Sequence, residues 1–456
     1  MYFPNKWAVY RHLRLRTSQY GIYGSSNAWN LNLNDGNLNN WNDKATNSNH
    51  VRAVSALLGK TNKMVYLEYL VEAYYDCRKK KRRTASAIEY EMDYMPRLMR
   101  LRDRINDRTY NPGTSICFVV TRPRYREVFA AAFEDRIIHH YVAIRLSPLF
   151  EQIFNDRTFN CRKDKGQLYG VKMIKEDIVR CSNHYTSDCY VMTLDIKGFF
   201  MSIRKDILTN MIDDFIIKYY SGNDKEDLRF LCHVIIMHEP EKDCIRKSPD
   251  ELWKYIPKNK SLFTNGKGRG IAIGNLFAQL FANYYLNEID WLIEKNGIKF
   301  HGRYVDDIYC ISEDKNKLLN IVPIIRGQLA KLGLNLNPKK FYLQYYKKGV
   351  PFTGAIIKPG RVYAMNRTIE NFKKAVFGLN SARSLYEIEK SVNRINSYLG
   401  LLRHYDEYGN RRKVLGMINT KAFNYVYIKG HFESVSIKNK YKKRIQTIIK
   451  IKNGDC

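Results

Sequence analysis

The sequence predicts a mixed α+β fold, and three features of it do the predicting. Long stretches repeat apolar residues at helical spacing, short apolar runs between turn residues read as strands, and two of those runs end or turn on aspartate. From Met64, "MVYLEYLVEAYYDCRKKKRRTASAIEYEMDYMPRLMRLRDRI" reads as two helices joined by the cationic run Arg78 to Arg83. "ICFVVT" and "REVFAAA" flank the turn-like "RPRY", which reads as a β-hairpin with Arg122, Arg124 and Arg126 near its tip. "FEDRIIHHYVAIRLSPLFEQI" and "KGQLYGVKMIKEDIVRC" resume a helical period; His139 and His140 in the first are assigned no chemistry, since most such histidines are structural. "CYVMTLDIKGFF" is the kind of apolar run that a buried strand shows, with Asp195 delivered to its end.

A helical region from about Lys205 to His238 follows, then a polar insertion through Lys260. From Gly274, "GNLFAQLFANYYLNEIDWLI" reads as one long amphipathic helix with Gly and Asn at its N-cap. "GRYVDDIYCIS" reads as strand, tight turn, strand, with Asp306 and Asp307 at the turn. "NKLLNIVPIIRGQLAKLGL" is helical with a kink or restart at Pro323, and "VPFTGAII" and "RVYAM" are strands about the turn signal "KPG". From Glu370 the chain is helical and becomes very basic at "IKNKYKKRIQTIIKIK"; no solenoid-type repeat is present.

At 456 residues the chain has room for about three compact lobes of roughly 150 residues each. Its 77 Lys and Arg against 45 Asp and Glu give a net charge of +32, a field that gathers polyanions and makes nucleic acid the default partner. The bland alternative is a charge that serves solubility, or one that follows from an AT-rich genome favouring Lys and Tyr codons. No run of about 18 uncharged apolar residues and no apolar leader core are found, which excludes a membrane-spanning class and points to the cytoplasm. The nine cysteines are odd in number, scattered and never spaced C-x-x-C, so a disulfide frame or a zinc site is not expected and reduced thiols are. One tract departs from the rest: "NAWNLNLNDGNLNNWNDKATNSN" holds ten asparagines between Asn27 and Asn49, a residue that favours neither helix nor strand.

Asp195, Asp306 and Asp307 carry the chemical argument. A lone Asp-Asp pair is most often turn chemistry. Two aspartates brought from neighbouring strands are what Mg2+ asks for, because it takes oxygen ligands and only one or two carboxylates from protein. Two such ions about 4 Å apart can activate an attacking hydroxyl and stabilise a departing pyrophosphate.

In that order along the chain, "LDIKGFF", "GNLFAQLFANYYLNEID", "YVDD", "LGLNLNPKK" and "FTGAIIKPGR" resemble the successive palm motifs of reverse transcriptases. The resemblance covers most of Arg122 to Arg361 and implies a right-hand polymerase fold of fingers, a palm with an antiparallel sheet, and a helical thumb. It implies an RNA-directed DNA polymerase with Asp195, Asp306 and Asp307 catalytic, two Mg2+ ions at Asp195, Ile196 and Asp306, and template RNA, primer, cDNA and deoxynucleotides as partners. Phe200, five positions after Asp195, matches the steric gate against a 2′-hydroxyl. Arg124, Arg126, Arg162, Lys163 and Lys165 match the basic positions that grip template and triphosphate, where guanidinium forks suit phosphate. Lys340, with Lys339 as its competitor, matches a basic residue near the pyrophosphate. The implied division is 1–60 as an Asn-rich segment outside the polymerase core, 61–184 as N-terminal helices and fingers, 185–363 as palm with a fingers insertion at 220–262, and 364–456 as thumb and basic tail.

Within that family, "GRGIAIGNLFAQLFAN" resembles the enzymes of diversity-generating retroelements. Ile273 stands where most related enzymes carry Gln, followed by Gly274 and Asn275; an aliphatic side chain offers only shape beside the nascent base pair, where an amide could hydrogen-bond. The insertion "HEPEKDCIRKSPDELWKYIPKNKSLF" resembles the same enzymes, whereas Ala272 departs from their usual Pro. Such enzymes copy a template-repeat RNA unfaithfully at adenines and work with a basic accessory oligomer. Asn codons are adenine-rich, and the Asn tract resembles the end of a diversified variable domain. The expectation is therefore that residues up to about Leu58 are a template repeat read in frame and the polymerase begins near Met64. Other readings are a retron or antiphage-defence reverse transcriptase, an Asn-rich binding arm, and an inactive palm that only binds RNA; intact aspartates speak against the last, since a pure binder has little use for mutually repelling carboxylates.

Overall fold

A computed structural model describes residues 65–79, 81, 82, 84–121, 124–442 and 444, together with the strand backbones Ala28–Leu31 and Leu38–Trp41. Those two strands pair antiparallel, Ala28 opposite Trp41. The rest of the Asn-rich tract, the tip residue Arg122 and most of the basic tail lie outside the described residues. The chain divides into two compact units, Met1–Asn111 with Ser221–Leu231 and Pro112–Tyr220 with Cys232–Cys456.

In the first unit the two expected helices are three, Leu67–Arg78, Ala85–Met92 and Tyr94–Asn106. The break falls at Asp93, whose φ of −137° and ψ of 35° leave the helical region. Tyr74 stacks on Tyr94 with centroids 4.8 Å apart. Arg78, at the start of the cationic join, pairs with Glu91 at 2.5 Å.

The second unit is built on a four-stranded antiparallel sheet in the order Phe300–Tyr304, Asp307–Ser312, Tyr190–Asp195, Tyr342–Tyr345. The helix Gln167–Cys181 packs on it. Val191, Tyr309 and Ile311 enter one continuous apolar core that runs through Phe159, Phe352 and Phe372 to Val435, so burial on that face fixes the register of the strands. A second sheet orders Arg126–Ala130, Ser115–Val120 and Cys244–Arg246, the first pair antiparallel as the expected hairpin and the second pair parallel. The α+β class with antiparallel sheets is thus observed.

Several elements differ from expectation for local reasons. The helix from Gly274 is two, Leu276–Tyr285 and Asn287–Lys295, interrupted at Leu286 with φ −105° and ψ 3°. Asn275 holds the N-cap place but its side chain caps nothing; its Oδ1 accepts from the Ala131 amide at 3.4 Å. The region Lys205 to His238 is likewise two helices, Lys205–Tyr219 and Lys225–Met237. Lys315–Lys331 runs as one helix through Pro323. "VPFTGAII" is itself a hairpin, Val350–Phe352 with Ala355–Lys358, turning on Thr353 and Gly354 at φ 44° and 95°; positive φ at both central residues is the type I′ pattern. The helical C-terminal region also contains a hairpin, Val426–Lys429 with Ser434–Ile437. The eight described cysteines are free. Among the described residues no helix is long and apolar enough to cross a membrane.

Candidate active site

Asp195 closes the strand Tyr190–Asp195 and stands opposite Asp307, the first residue of the next strand. Tyr304 also faces Asp307, so Val305 and Asp306 alone make the turn. Val305 has φ 58°. Left-handed φ at the first central residue is where a type II′ turn asks for glycine, and a β-branched residue held there stores about 1–3 kcal/mol. Backbone bonds hold the strand end to the turn and to the segment at Asn337: the Ile196 amide donates to the Asp306 carbonyl at 3.3 Å, and the Asn337 amide donates to the Asp195 carbonyl at 2.7 Å. The sequence places three carboxylates on two adjacent strand ends, and the sheet brings them together.

Their electrostatics follow from crowding. Burial, then the charge of Asp195, raises the Asp306 carboxyl above its ordinary range. Asp307 is pushed up to about 7 by burial, then by Asp306 and Asp195. Lys340 and Lys260 act in the opposite sense on Asp306, and Lys340 and Arg124 on Asp307. Asp195 is buried, and both its oxygens are engaged: Lys340 Nζ donates to Oδ1 and Asn337 Nδ2 donates to Oδ2 at 2.9 Å. Among the described residues no group of three or more His, Cys, Asp or Glu is drawn together closely enough to hold an ion. The donor set nonetheless suits a hard cation. Burial and then nearby carboxylate charge raise the proton affinity of Asp306 and Asp307, which a divalent cation would offset, as the Lys340 ammonium offsets it in part here.

The remaining expected residues divide. Arg124 and Arg126 are exposed and, with Lys340, lie close enough to Lys260 to lower its pKa, after the larger effect of burial. Phe200 is half-buried against Cys117, Phe129, Met201, Leu262 and Ala272, in one cluster with Ile273. The Phe200 carbonyl accepts from the Ile271 amide at 3.0 Å and the Ile273 carbonyl from the Phe129 amide at 2.8 Å, so Phe200 and the loop share a frame. Gly274 has φ 121°, and a Cβ there would lie 2.6 Å from the Phe129 carbonyl oxygen; only glycine lets the loop lie this close to the strand.

Arg162 departs from its expected place among the phosphate-gripping cations. It is buried, and its guanidinium donates to Glu151 at 2.9 Å and to the carbonyls of Asn155 and Thr158 at 2.6 and 3.2 Å. Lys165 Nζ donates to the Asp156 carbonyl at 2.8 Å, and Lys163 is exposed. His139 is buried against Phe277, as a structural histidine.

Three residues of the site escape the sequence reading. Asn337 orients Asp195 while its Oδ1 accepts from the Lys339 amide at 3.2 Å, which starts the 3₁₀ turn Pro338–Lys340 that carries Lys340; the Asn-Pro pair is the available signal. Lys260 sits in a segment that reads only as a polar insertion. Arg303, one residue before Tyr304, is fully buried and donates from Nη1 to the Val305 carbonyl at 3.1 Å; nothing in the sequence distinguishes it from a surface arginine.

Residues 122–357, a little over half of the chain, match the profile of the family described as reverse transcriptase (RNA-dependent DNA polymerase). No curated protein matches. Among solved structures the chain is similar to apo telomerase from Candida tropicalis, at 13% identity over 76% of this chain and 67% of that one with a TM-score of 0.40. It is also similar to the same telomerase truncated from its C-terminal domain, at 14% identity over 58% of this chain and 59% of that one with a TM-score of 0.38. The chain thus spans under two thirds of the truncated telomerase. Because the family profile covers more than half of its residues, the two strand ends that carry Asp195 and Asp307 included, this chain belongs to the reverse transcriptase family.

Proposed function

We propose that this chain is an RNA-directed DNA polymerase of a diversity-generating retroelement, making cDNA from a template-repeat RNA with errors concentrated at adenine. The observation that carries nucleotidyl transfer is the register that sets Asp195 opposite Asp307 with Asp306 in the adjoining turn. Asp195, Asp306 and the backbone at Ile196, with Asp307 assisting, would hold two Mg2+ ions. Bound there, the ions would lower the pKa of the primer 3′-hydroxyl and neutralise the charge that leaves with pyrophosphate. Arg124, Arg126 and Lys260 bind the triphosphate, and Lys340, released from Asp195, meets the pyrophosphate with its ammonium proton. Phe200 excludes a ribose 2′-hydroxyl. Residues 61–184, 185–363 and 364–456 serve as fingers, palm and thumb.

The retroelement reading is supported by Ile273, which lies in the apolar cluster of Phe200 and brings no hydrogen-bonding group to the nascent pair. A site that reads shape alone rejects mispairs by less than one whose polar groups would be left unpaired. On the same reading residues up to about Leu58 are template repeat read in frame, and a basic accessory oligomer is the protein partner. The test is to incubate the purified chain with its upstream RNA, Mg2+ and deoxynucleotides and to sequence the products. Misincorporation clustered opposite adenine is the expected result, with synthesis abolished in Asp306→Asn and retained when the first 60 or so residues are deleted and the RNA is supplied separately. Rare, evenly spread errors would favour the defence-type reverse transcriptase, and loss of synthesis on the deletion would overturn the translated-template idea.

A further inference from the structure

Behind the Val305–Asp306 turn lies a fully buried ion pair that the chemistry above does not use. Arg303 and Asp290 both have no exposed side-chain surface. The Arg303 guanidinium donates from Nε to Asp290 Oδ1 at 2.9 Å and from Nη2 to Oδ2 at 2.7 Å, a two-pronged clasp. Thr158 Oγ1 donates to the same Oδ2 at 2.7 Å. The remaining Arg303 donors reach two carbonyls, Nη2 to Asn283 at 3.2 Å and Nη1 to Val305 at 3.1 Å. Backbone bonds fix Arg303 from its other side, its amide to the Arg157 carbonyl at 2.8 Å and its carbonyl from the Phe159 amide at 2.9 Å. The Arg303 side chain therefore ties the helix Asn287–Lys295 and the end of the helix Leu276–Tyr285 to the carbonyl of the strained turn residue, while its backbone holds the segment 157–159.

A residue in the left-handed region persists only where its surroundings over-determine it. Val305 at φ 58° is such a residue, and the bond from Arg303 is what the interior offers its carbonyl. We infer that the Asp290–Arg303 pair is a positioning device: it holds Val305 in the left-handed conformation and thereby aims the Asp306 carboxylate toward Asp195. The inference rests on the proposed polymerase reading for the use of those carboxylates. Lysine in place of Arg303 would keep the charge but lacks the second fork, so it cannot hold Asp290 and the Val305 carbonyl together.

The experiment compares the full-length protein with Arg303→Lys, Val305→Gly and the double variant. Mn2+ binding is followed by electron paramagnetic resonance, primer extension by single-turnover kinetics, and folding by circular dichroism. Arg303→Lys should weaken Mn2+ binding and slow extension by about 10- to 100-fold, as loss of a group that orients a ligand does, while the chain stays folded. Val305→Gly removes the strain that the tether opposes, so the double variant should recover most of both losses. Arg303→Lys with unchanged Mn2+ affinity, or losses as large in the double variant as in Arg303→Lys alone, would overturn the inference. Should Arg303→Lys not fold, Asp290→Asn, which keeps the shape of the pair, carries the same comparison. A wild-type chain that neither binds Mn2+ nor extends a primer would instead count against the polymerase reading itself.

Discussion

Arg124 and Arg162 separate two uses of a guanidinium. Arg124 is exposed near Lys260, with its charge felt at Asp307. Arg162 is buried, satisfies two backbone carbonyls and packs over Phe154 at 5.6 Å. Removing a buried donor that serves backbone acceptors leaves those acceptors unpaired, which costs about 2–4 kcal/mol. Arg162→Ala should therefore lower the urea midpoint of unfolding with little change in nucleotide affinity beyond that instability. Arg124→Ala should leave the midpoint in place and raise the KM for deoxynucleotide about tenfold, as loss of a charge-assisted phosphate contact does. Equal stability losses in both would show that the two arginines are not divided in this way. The sequence could not tell them apart, because local spacing carries no information on which cation the fold will bury; it could tell the aspartates, because a strand end and a two-residue turn put them in fixed places.

Elements were legible where their signal was local. The strand ending at Asp195 and the hairpin about Arg124 appear as read, and the turn holds Asp306 while Asp307 opens the following strand, since short apolar runs and turn residues lie within a few positions of each other. Helix boundaries were less so. Leu286 breaks a helix with no Pro or Gly to announce it, Asp93 breaks one three residues before Pro96, which sits in the first turn of the next helix, and Pro323 fails to break one, because tertiary packing overrides propensity at single residues. The loop Ile271 to Asn275 shows what packing demands of an element: it lies against the strand Arg126–Ala130 through the bond from Phe129 to Ile273, and through Asn275 to Ala131. Gly274→Ala combines a φ of 121° with a Cβ 2.7 Å from Val128 Cγ1, so the loop must lift from the strand. Strain of this kind costs about 1–3 kcal/mol. The expected outcome is a lower melting temperature together with a change in misincorporation frequency, because Ile273 moves with the loop; an unchanged error spectrum at reduced stability would detach the loop from fidelity.

At the scale of the whole molecule, the charge of +32 asks where its counterions go. Solubility alone needs far less, and a cation used only for solubility releases nothing when nucleic acid binds. A chain that neutralises phosphates releases about 0.9 counterion for each, so log K falls linearly with log salt and 6–10 contacts cost roughly 10³- to 10⁵-fold between 50 and 200 mM salt. The cations around the aspartates, Arg124, Arg126, Lys260 and Lys340, are too few to supply such a slope. The stretch from Lys438 to Lys452 adds seven Lys and Arg, and on the thumb reading these track the duplex backbone. Binding of an RNA–DNA primer-template should therefore fall with a log–log slope steeper than about −5, and changing those seven residues to Gln should flatten the slope by several units while the single-turnover rate at saturating template holds. A shallow slope in the parent chain, or one that the seven substitutions leave untouched, would mean that the positive field gathers nucleic acid elsewhere or not at all.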